Sequence, residues 1–329
     1  MTDTQNILLP IQDEFNRYSD LFAATLRSDK PLLGEVLDYV SSKKGKQLRP
    51  LLVMLAAKLC REVSDKTLLT AVTMELVHTA SLIHDDVVDE SPMRRGMQSV
   101  HTRWTNKVAV LVGDYILSKV IENVASLRNT RILSIVSGLA STLSEGELLQ
   151  LHANSSMWIT EEQYYDIISR KTACLFAACM EAGAESAGGS MRQTTALKQF
   201  GWHLGMCFQL KDDVLDYSDS EDLGKPTMND IRDGKVTLPL LIATQRAPEN
   251  ETQEIKQLAL QLSSASQSGS RQAEEQIKSF VMRYEGVRYA YKQMSLHKEK
   301  AEKCLDIFRP SKVKESLIQL LNYSVNRIY

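Results

Sequence analysis

The sequence is poor in the residues that break helices, with 8 prolines and 15 glycines in 329 positions. Long segments therefore run uninterrupted, which weighs against a loop-rich or disordered chain. No alternating apolar run bounded by hairpin turns stands out, so no sheet is expected. No stretch reaches the ~18 apolar residues that a membrane span requires. The most apolar helical candidate, around residues 68–88, contains Glu75, His78 and His84. No integral membrane segment is expected. The amino-terminal MTDTQNILLPIQDEF has acids where a secretory leader carries bases. Five cysteines (60, 174, 179, 207 and 304) are scattered without metal-ligand spacing. They suit a reducing compartment, and a cytoplasmic protein is expected. Excess charge is missing too. A formal net charge of −2 leaves no basic footprint for nucleic acid or a polybasic membrane contact.

What is present is helical periodicity. Apolar spacings of three and four predict helices at roughly 4–29, 31–43, 48–60, 65–90, 97–102, 107–127, 129–153, 160–186, 191–219, 236–246, 250–264, 270–283, 285–307 and 310–325. The expected class is all-α, with one domain spanning 1–329. The helices at 65–90 and 191–219 look apolar nearly all round, which places them at the centre of a bundle. Both end in the same motif: Asp85-Asp86-Val87-Val88-Asp89 and Asp212-Asp213-Val214-Leu215-Asp216.

On a helix, positions i and i+4 differ by ~40° and stand ~6 Å apart along the axis. Asp85 and Asp89 share one face, and so do Asp212 and Asp216. Such pairs suit a hard cation such as Mg²⁺, which keeps sites for water and phosphate oxygens. One pair alone reads as an ordinary solvated helix face. Two pairs on nearly apolar helices read differently, because buried carboxylates need a neutralising partner. Bases accompany both motifs. Arg94, Arg95 and Gly96 follow the first, Lys43, Lys44, Lys46 and Arg49 lie upstream, and Lys225 and Lys235 follow the second. Each base alone suits a solvated surface, but together they match phosphate recognition. The segment 222–235 carries Gly224 and Gly234 and is a candidate lid.

The segments GKQLRP, LIHDDVVDESPMRRG, GDYILSKV, EGELLQL, RKTACLF and FQLKDDVLDYSDSEDLGKPTMNDIRDGKVTLP resemble those of trans-isoprenyl diphosphate synthases. They look most like the long-chain polyprenyl diphosphate synthases that make quinone side chains (octaprenyl, solanesyl, decaprenyl). The resemblance runs in family order from about residue 43 to 240. It implies the isoprenoid-synthase helical bundle around a central cavity, and a homodimer. Its substrates would be an allylic diphosphate and isopentenyl diphosphate.

Residue by residue, the resemblance implies that Asp85 and Asp89 hold two Mg²⁺ ions and Asp212 a third. Asp86, Asp213 and Asp216 would complete or support that shell. Arg94, Lys171, Lys225 and Lys235 would grip the allylic diphosphate, and Thr172 would also contact substrate. Lys46, Arg49, His78 and Arg95 would bind isopentenyl diphosphate. Phe208 and Gln209 would flank the reacting carbons. The allylic C–O bond would ionise against this charge, the isopentenyl double bond would attack, and the released diphosphate would take the proton.

Ala80 and Ser81 lie one turn below Asp85, where short-chain relatives carry bulky aromatics. Both are small here, so a growing chain can pass, with Met74–Val77 and Ile116–Val120 as walls. A product of about C40–C50 is expected from the resemblance. The bland reading is that Ala and Ser merely permit close helix packing. Alternatives are a shorter-chain (farnesyl or geranylgeranyl) synthase, a terpene cyclase and a regulatory subunit of a two-part synthase. A cyclase normally carries an Asn/Ser/Glu second motif in place of a repeated DDxxD. A di-iron bundle needs two Glu-x-x-His motifs, and Glu75 to His78 supplies one. Whether Arg327 reaches the site is open at this level.

Overall fold

The computed structural model describes residues 3–42, 45, 47–94, 96–218, 227–264 and 271–327, and only the backbone of 3–5. Helix makes up 82% of it, as the scarcity of breakers predicts. The chain folds into two compact units. One comprises Met1–Ala140, Leu175–Gly201 and Leu305–Leu317; the other comprises Ser141–Cys174, Trp202–Cys304 and Ile318–Tyr329.

In the first unit the Asp65–Val88 helix is the central element. Ser64 caps it: its hydroxyl accepts from the Thr67 N–H, and the Thr67 hydroxyl accepts from the Ser64 N–H. Every residue from Thr70 to His78 is buried, so the helix is enclosed on all sides. The threonines tolerate this because Thr70 and Thr73 donate to the carbonyls of Lys66 and Leu69, each at 2.7 Å. Full burial of a side chain such as Met74 or Leu76 contributes about 1.5–3 kcal/mol. The Leu48–Cys60 and Asn106–Leu127 helices pack against it. The Asn106–Leu127 helix buries Ala109, Val112, Ile116 and Val120 and exposes a second stripe: Leu111, Asp114, Ser118 and Ile121. Leu111 is 67% and Ile121 71% exposed.

The structure departs from the expected elements at four places. The helix expected at 4–29 is divided by a 3₁₀ turn, Leu9–Ile11, because Pro10 lacks an N–H and crowds the preceding turn. Residues 97–98 belong to a small antiparallel hairpin, Met93–Arg94 against Met97–Gln98, and the helix there is Val100–Arg103. The expected 160–186 helix contains a π-helical turn, Ser169–Ala173, between Glu161–Ile168 and Cys174–Ser186. The Met191–Leu215 helix is enclosed only in its later half: Leu204 to Cys207 are all buried, whereas Met191 is 71% exposed. Arg192, Gln193, Lys198 and Gln199 make its early half polar, so it is not apolar all round.

The Thr130–Ser156 helix is long and apolar enough to cross a membrane by length and composition, contrary to expectation. Interspersed serines, threonines and glycines hid it from a search for unbroken apolar runs. Only 22% of its most apolar window is buried, and one such helix is weak evidence of a span.

Candidate functional site

The first aspartate motif occupies the last turn of the Asp65–Val88 helix and its cap. Asp85 is half-buried and Asp89, the C-cap, is exposed. The Asp89 N–H donates to the Asp85 carbonyl at 2.8 Å, which keeps the helical pitch through the pair. Asp86 is buried, 5% exposed, and its Oδ1 lies 3.5 Å from Arg94 Nε on the hairpin. A small cavity of about 60 Å³ adjoins them, bounded by Gln47, Glu75, Thr79, Asp86 and Arg94.

Beneath the motif, Ala80 is fully buried and Ser81 is half-buried, its hydroxyl donating to the His78 carbonyl at 3.0 Å. His78 is itself buried. Met74, Leu76, Val77, Ile116 and Val120 are buried as well, but Glu75 places a buried carboxyl within the aliphatic stretch. Burial, with Glu75 nearby, drives the Tyr18 phenol well above its ordinary range. The Arg49 guanidinium lies over the Phe176 ring, 5.4 Å from its centroid. Lys43, Lys44, Lys46 and Arg95 lie outside the described residues.

The second motif closes the Met191–Leu215 helix. Its three aspartates have three different surroundings. Asp212 is 42% exposed at its side chain and pairs with Arg327, whose Nη2 lies 2.8 Å from Oδ1. The same guanidinium donates to the Phe208 carbonyl at 2.8 Å and lies 3.9 Å above the centre of the Phe208 ring. Arg327 therefore does reach the site. Asp213 is 2% exposed and held on both oxygens, by the Tyr164 hydroxyl and by Gln209 Nε2 at 2.8 Å. The Thr172 hydroxyl donates to Gln209 Oε1 at 2.7 Å, which turns the amide nitrogen toward Asp213. Asp216 accepts from the backbone N–H groups of Asn229 and Asp230 at 3.0 and 3.1 Å. That segment includes a short helix, Asn229–Arg232.

These acids are under electrostatic load. Burial lifts the Asp213 carboxyl to about 7 against the hydrogen bonds from Tyr164 and Gln209, with Asp212 and Asp216 adding to the rise. Burial also raises Asp216, and burial with Asp213 and Asp216 raises Asp230. Burial and mutual repulsion outweigh Lys278 at Asp216 and Lys235 at Asp230, and a divalent cation would relieve that repulsion. Among the described residues, no three His, Cys, Asp or Glu side chains are grouped to hold an ion by themselves. The carboxylate pairs at i and i+4 are hard oxygen donors that suit Mg²⁺, which takes further oxygens from water and phosphates.

A cavity of about 230 Å³ opens beside this motif, bounded in part by Lys171, Thr172, Gln209, Asp213, Asp230 and Lys235. Lys171 sits in the π-helical turn and pairs with Glu147 at 2.7 Å. Such turns are frequent at functional sites. The Lys235 ammonium lies 3.6 Å from Asp233, and the Lys235 backbone N–H donates to the Asp230 carbonyl at 2.7 Å. Gly234, of the candidate lid, has φ +73°; Gly224 and Lys225 lie outside the described residues. Lys278 bonds the Ser218 carbonyl at 2.7 Å and the Thr227 hydroxyl at 3.1 Å, on either side of residues 219–226. Sequence reasoning missed Glu147, Tyr164, Asp230 and Lys278. Asp230 alone left a signal, as an acid in the conspicuous Gly/Pro segment.

Comparison with known proteins bears on both motifs together. The profile of a family described as Polyprenyl synthetase matches residues 30–277. Octaprenyl diphosphate synthase of Haemophilus influenzae is 38% identical over 307 residues, covering 93% of this chain and 92% of its own. All-trans-nonaprenyl-diphosphate synthase (geranyl-diphosphate specific) of Rhodobacter capsulatus is 34% identical over 326 residues, 98% of each chain. Among solved structures, polyprenyl synthase from Caulobacter crescentus CB15, complexed with calcium and isoprenyl diphosphate, superposes with a TM-score of 0.90. It is 31% identical, and the match covers 99% of this chain and 98% of that one.

Proposed function

The chain belongs to the polyprenyl synthetase family and is a trans-polyprenyl diphosphate synthase, a transferase of prenyl groups, and from that premise we propose its substrates and product. It condenses an allylic diphosphate, such as farnesyl diphosphate, with successive isopentenyl diphosphates. The product is an all-trans polyprenyl diphosphate of about C40–C50 for quinone side chains, the range being that of its octaprenyl, nonaprenyl and decaprenyl relatives. The fold is the all-α isoprenoid-synthase fold of its structural neighbours.

The observation that carries this reading is the cavity in which Asp213 of the second motif and Asp230 stand beside Lys171 and Lys235. Members of the family use a divalent metal. Asp85 and Asp89 would hold Mg²⁺ at the first motif and Asp212 at the second, three ions in all. Bound there, Mg²⁺ supplies Lewis-acid stabilisation of a departing diphosphate.

This chain's own residues do the rest. Lys171, Arg94 and Lys235 draw the allylic diphosphate, and Lys171 exchanges its Glu147 partner for phosphate oxygens. Tyr164 and Gln209 fix Asp213, which sets the turn carrying Asp212 and Asp216. Asp86, Asp213 and Asp216 complete or support the metal shell. The Phe208 ring and the Gln209 amide flank the reacting carbons. His78, Arg49, Lys46 and Arg95 receive isopentenyl diphosphate. Arg327 neutralises Asp212 while no metal is bound.

Ala80 and Ser81 leave the way open below the first motif for an elongating chain. Exposed Leu111 and Ile121 on the Asn106–Leu127 helix support a homodimer. The scattered cysteines support a cytoplasmic location. Incubation of the pure protein with farnesyl diphosphate, isopentenyl diphosphate and Mg²⁺, followed by sizing of the products, tests the reading. Long-chain products are expected. A C15 or C20 endpoint would sink the long-chain claim, and no condensation at all would sink the substrate assignment.

A further inference from the structure

We infer that His84 is a positioning residue for the first aspartate pair, an inference that rests on the synthase reading above. His84 immediately precedes Asp85, so its side chain leaves the helix ~100° around from the face of the pair. It turns instead toward the Asn106–Leu127 helix. Its Nε2 lies 3.2 Å from the Val110 carbonyl oxygen and 3.6 Å from Asp114 Oδ1. Both neighbours are acceptors, so Nε2 carries a proton and donates.

The ring is seated directly over Gly113. A Cβ at that position would fall 2.1 Å from His84 Nε2 and 2.5 Å from Cδ2. No side chain fits there while the imidazole does, so the two residues form one matched slot.

The place of the slot gives it a function. Val88 is the last helical residue, Asp89 is the cap, and Glu90 turns into the left-handed region at φ 49°. The closing carbonyls of a helix lack intrahelical partners, and helix ends fray. Asp85 and Asp89 occupy this closing turn, and they can address a common ion only while the turn keeps its pitch. His84 fastens that turn to an adjacent helix at the level of the motif. Packing alone does not require the bond, because the Val110 carbonyl lies inside a helix and already serves the Asp114 N–H by helical geometry. The added donor locks rotation of the closing turn about its axis, and thereby the aim of both carboxylates.

The test is direct titration of Mn²⁺ in the presence of inorganic pyrophosphate, with free Mn²⁺ read by electron paramagnetic resonance. His84→Leu keeps the volume and removes the donor. It is expected to weaken Mn²⁺ binding about tenfold, the usual scale for a residue behind a metal ligand. His84→Gln restores an N–H at nearly the same reach and is expected to recover most of that loss. Gly113→Ala, which evicts the ring without altering His84, should behave as His84→Leu. Wild-type affinity in His84→Leu, or equal loss in His84→Gln and His84→Leu, would overturn the inference. Should His84→Leu fail to fold, Gly113→Ala decides, since its Cβ would displace the ring and break the bond to the Val110 carbonyl. A weakened Mn²⁺ affinity there is expected, and an unchanged one overturns the inference. A wild-type protein that binds no Mn²⁺ with pyrophosphate fails the synthase reading itself, a different result from any variant effect.

Discussion

Arg327 shows how much a single residue carries at the second motif. Its guanidinium pairs with Asp212, caps the Phe208 carbonyl and covers the Phe208 ring. Hydrogen bonds to charged groups are worth about 1.5–3 kcal/mol, and the exposure of Asp212 places this one toward the lower end. Arg327→Ala is therefore expected to lower the melting temperature by a few degrees in EDTA, with most of the loss recovered when Mg²⁺ and pyrophosphate neutralise Asp212. Equal losses with and without Mg²⁺, read by differential scanning fluorimetry, would contradict the role given to Arg327. Ala80 is the other residue whose size matters. It is fully buried, so Ala80→Phe must displace neighbours and is expected to cost about 1–3 kcal/mol of stability. Its products should be shorter than the wild type's when the dephosphorylated alcohols are sized by chromatography. Unchanged lengths would remove Ala80 from the channel floor.

At the scale of elements, the π-helical turn Ser169–Ala173 gives Lys171 and Thr172 their positions. It packs so closely on the Thr130–Ser156 helix that a Cβ on Gly146 would lie 2.9 Å from Arg170 Cβ and 3.2 Å from the Arg170 carbonyl carbon. Backbone cannot yield as a flexible side chain does. Gly146→Ala should shift Lys171 and raise the KM for the allylic diphosphate about tenfold, near the lower end of overpacking costs. An unaltered KM would show that the turn tolerates the displacement.

The packing of the Trp202–Cys304 region includes a second sensitive contact. His203 Nδ1 and His297 Nδ1 are 3.0 Å apart, with the Trp202 ring against both. One imidazole donates and the other accepts, so the accepting ring must be neutral and the pair cannot persist once both are protonated. Burial, and for His297 also its partner His203, holds both near 4, with Lys300 adding to the depression. A depressed histidine binds fewer protons folded than unfolded, so its stabilisation is complete above about 6.5 and is lost as pH falls toward 4. The wild-type melting temperature should fall through that window more steeply than that of the His203→Gln, His297→Gln double variant. Parallel curves would contradict it.

These elements also show what can be read from one dimension. The helix at 48–60 was legible to the residue, and the 65–90 helix nearly so, because Ser64 caps and apolar spacing act over one turn. The aspartate pairs were legible for the same reason, since i and i+4 meet on any helix. The π-helical turn was not, because one wider turn leaves no mark in the periodicity of a run that reads as continuous helix. Glu147, Tyr164, Lys278 and the answer for Arg327 were hidden likewise. Each acts on a residue at least 24 positions away in the chain: Glu147 on Lys171, Tyr164 on Asp213, Lys278 on Thr227, Arg327 on Asp212. No local periodicity encodes such a pairing.

On the scale of the whole molecule, the exposed stripe on the Asn106–Leu127 helix carries Leu111, Asp114 and Ile121. Asp114 of that stripe and Val110 beside it are the groups that hold His84. If a second copy of the chain covers the stripe, protein concentration becomes a variable of catalysis. Mass action would then govern the first aspartate motif as surely as it governs subunit pairing. Specific activity should fall when the enzyme is diluted before assay, recover with a lag on reconcentration, and do so with the dissociation constant that sedimentation reports for the dimer.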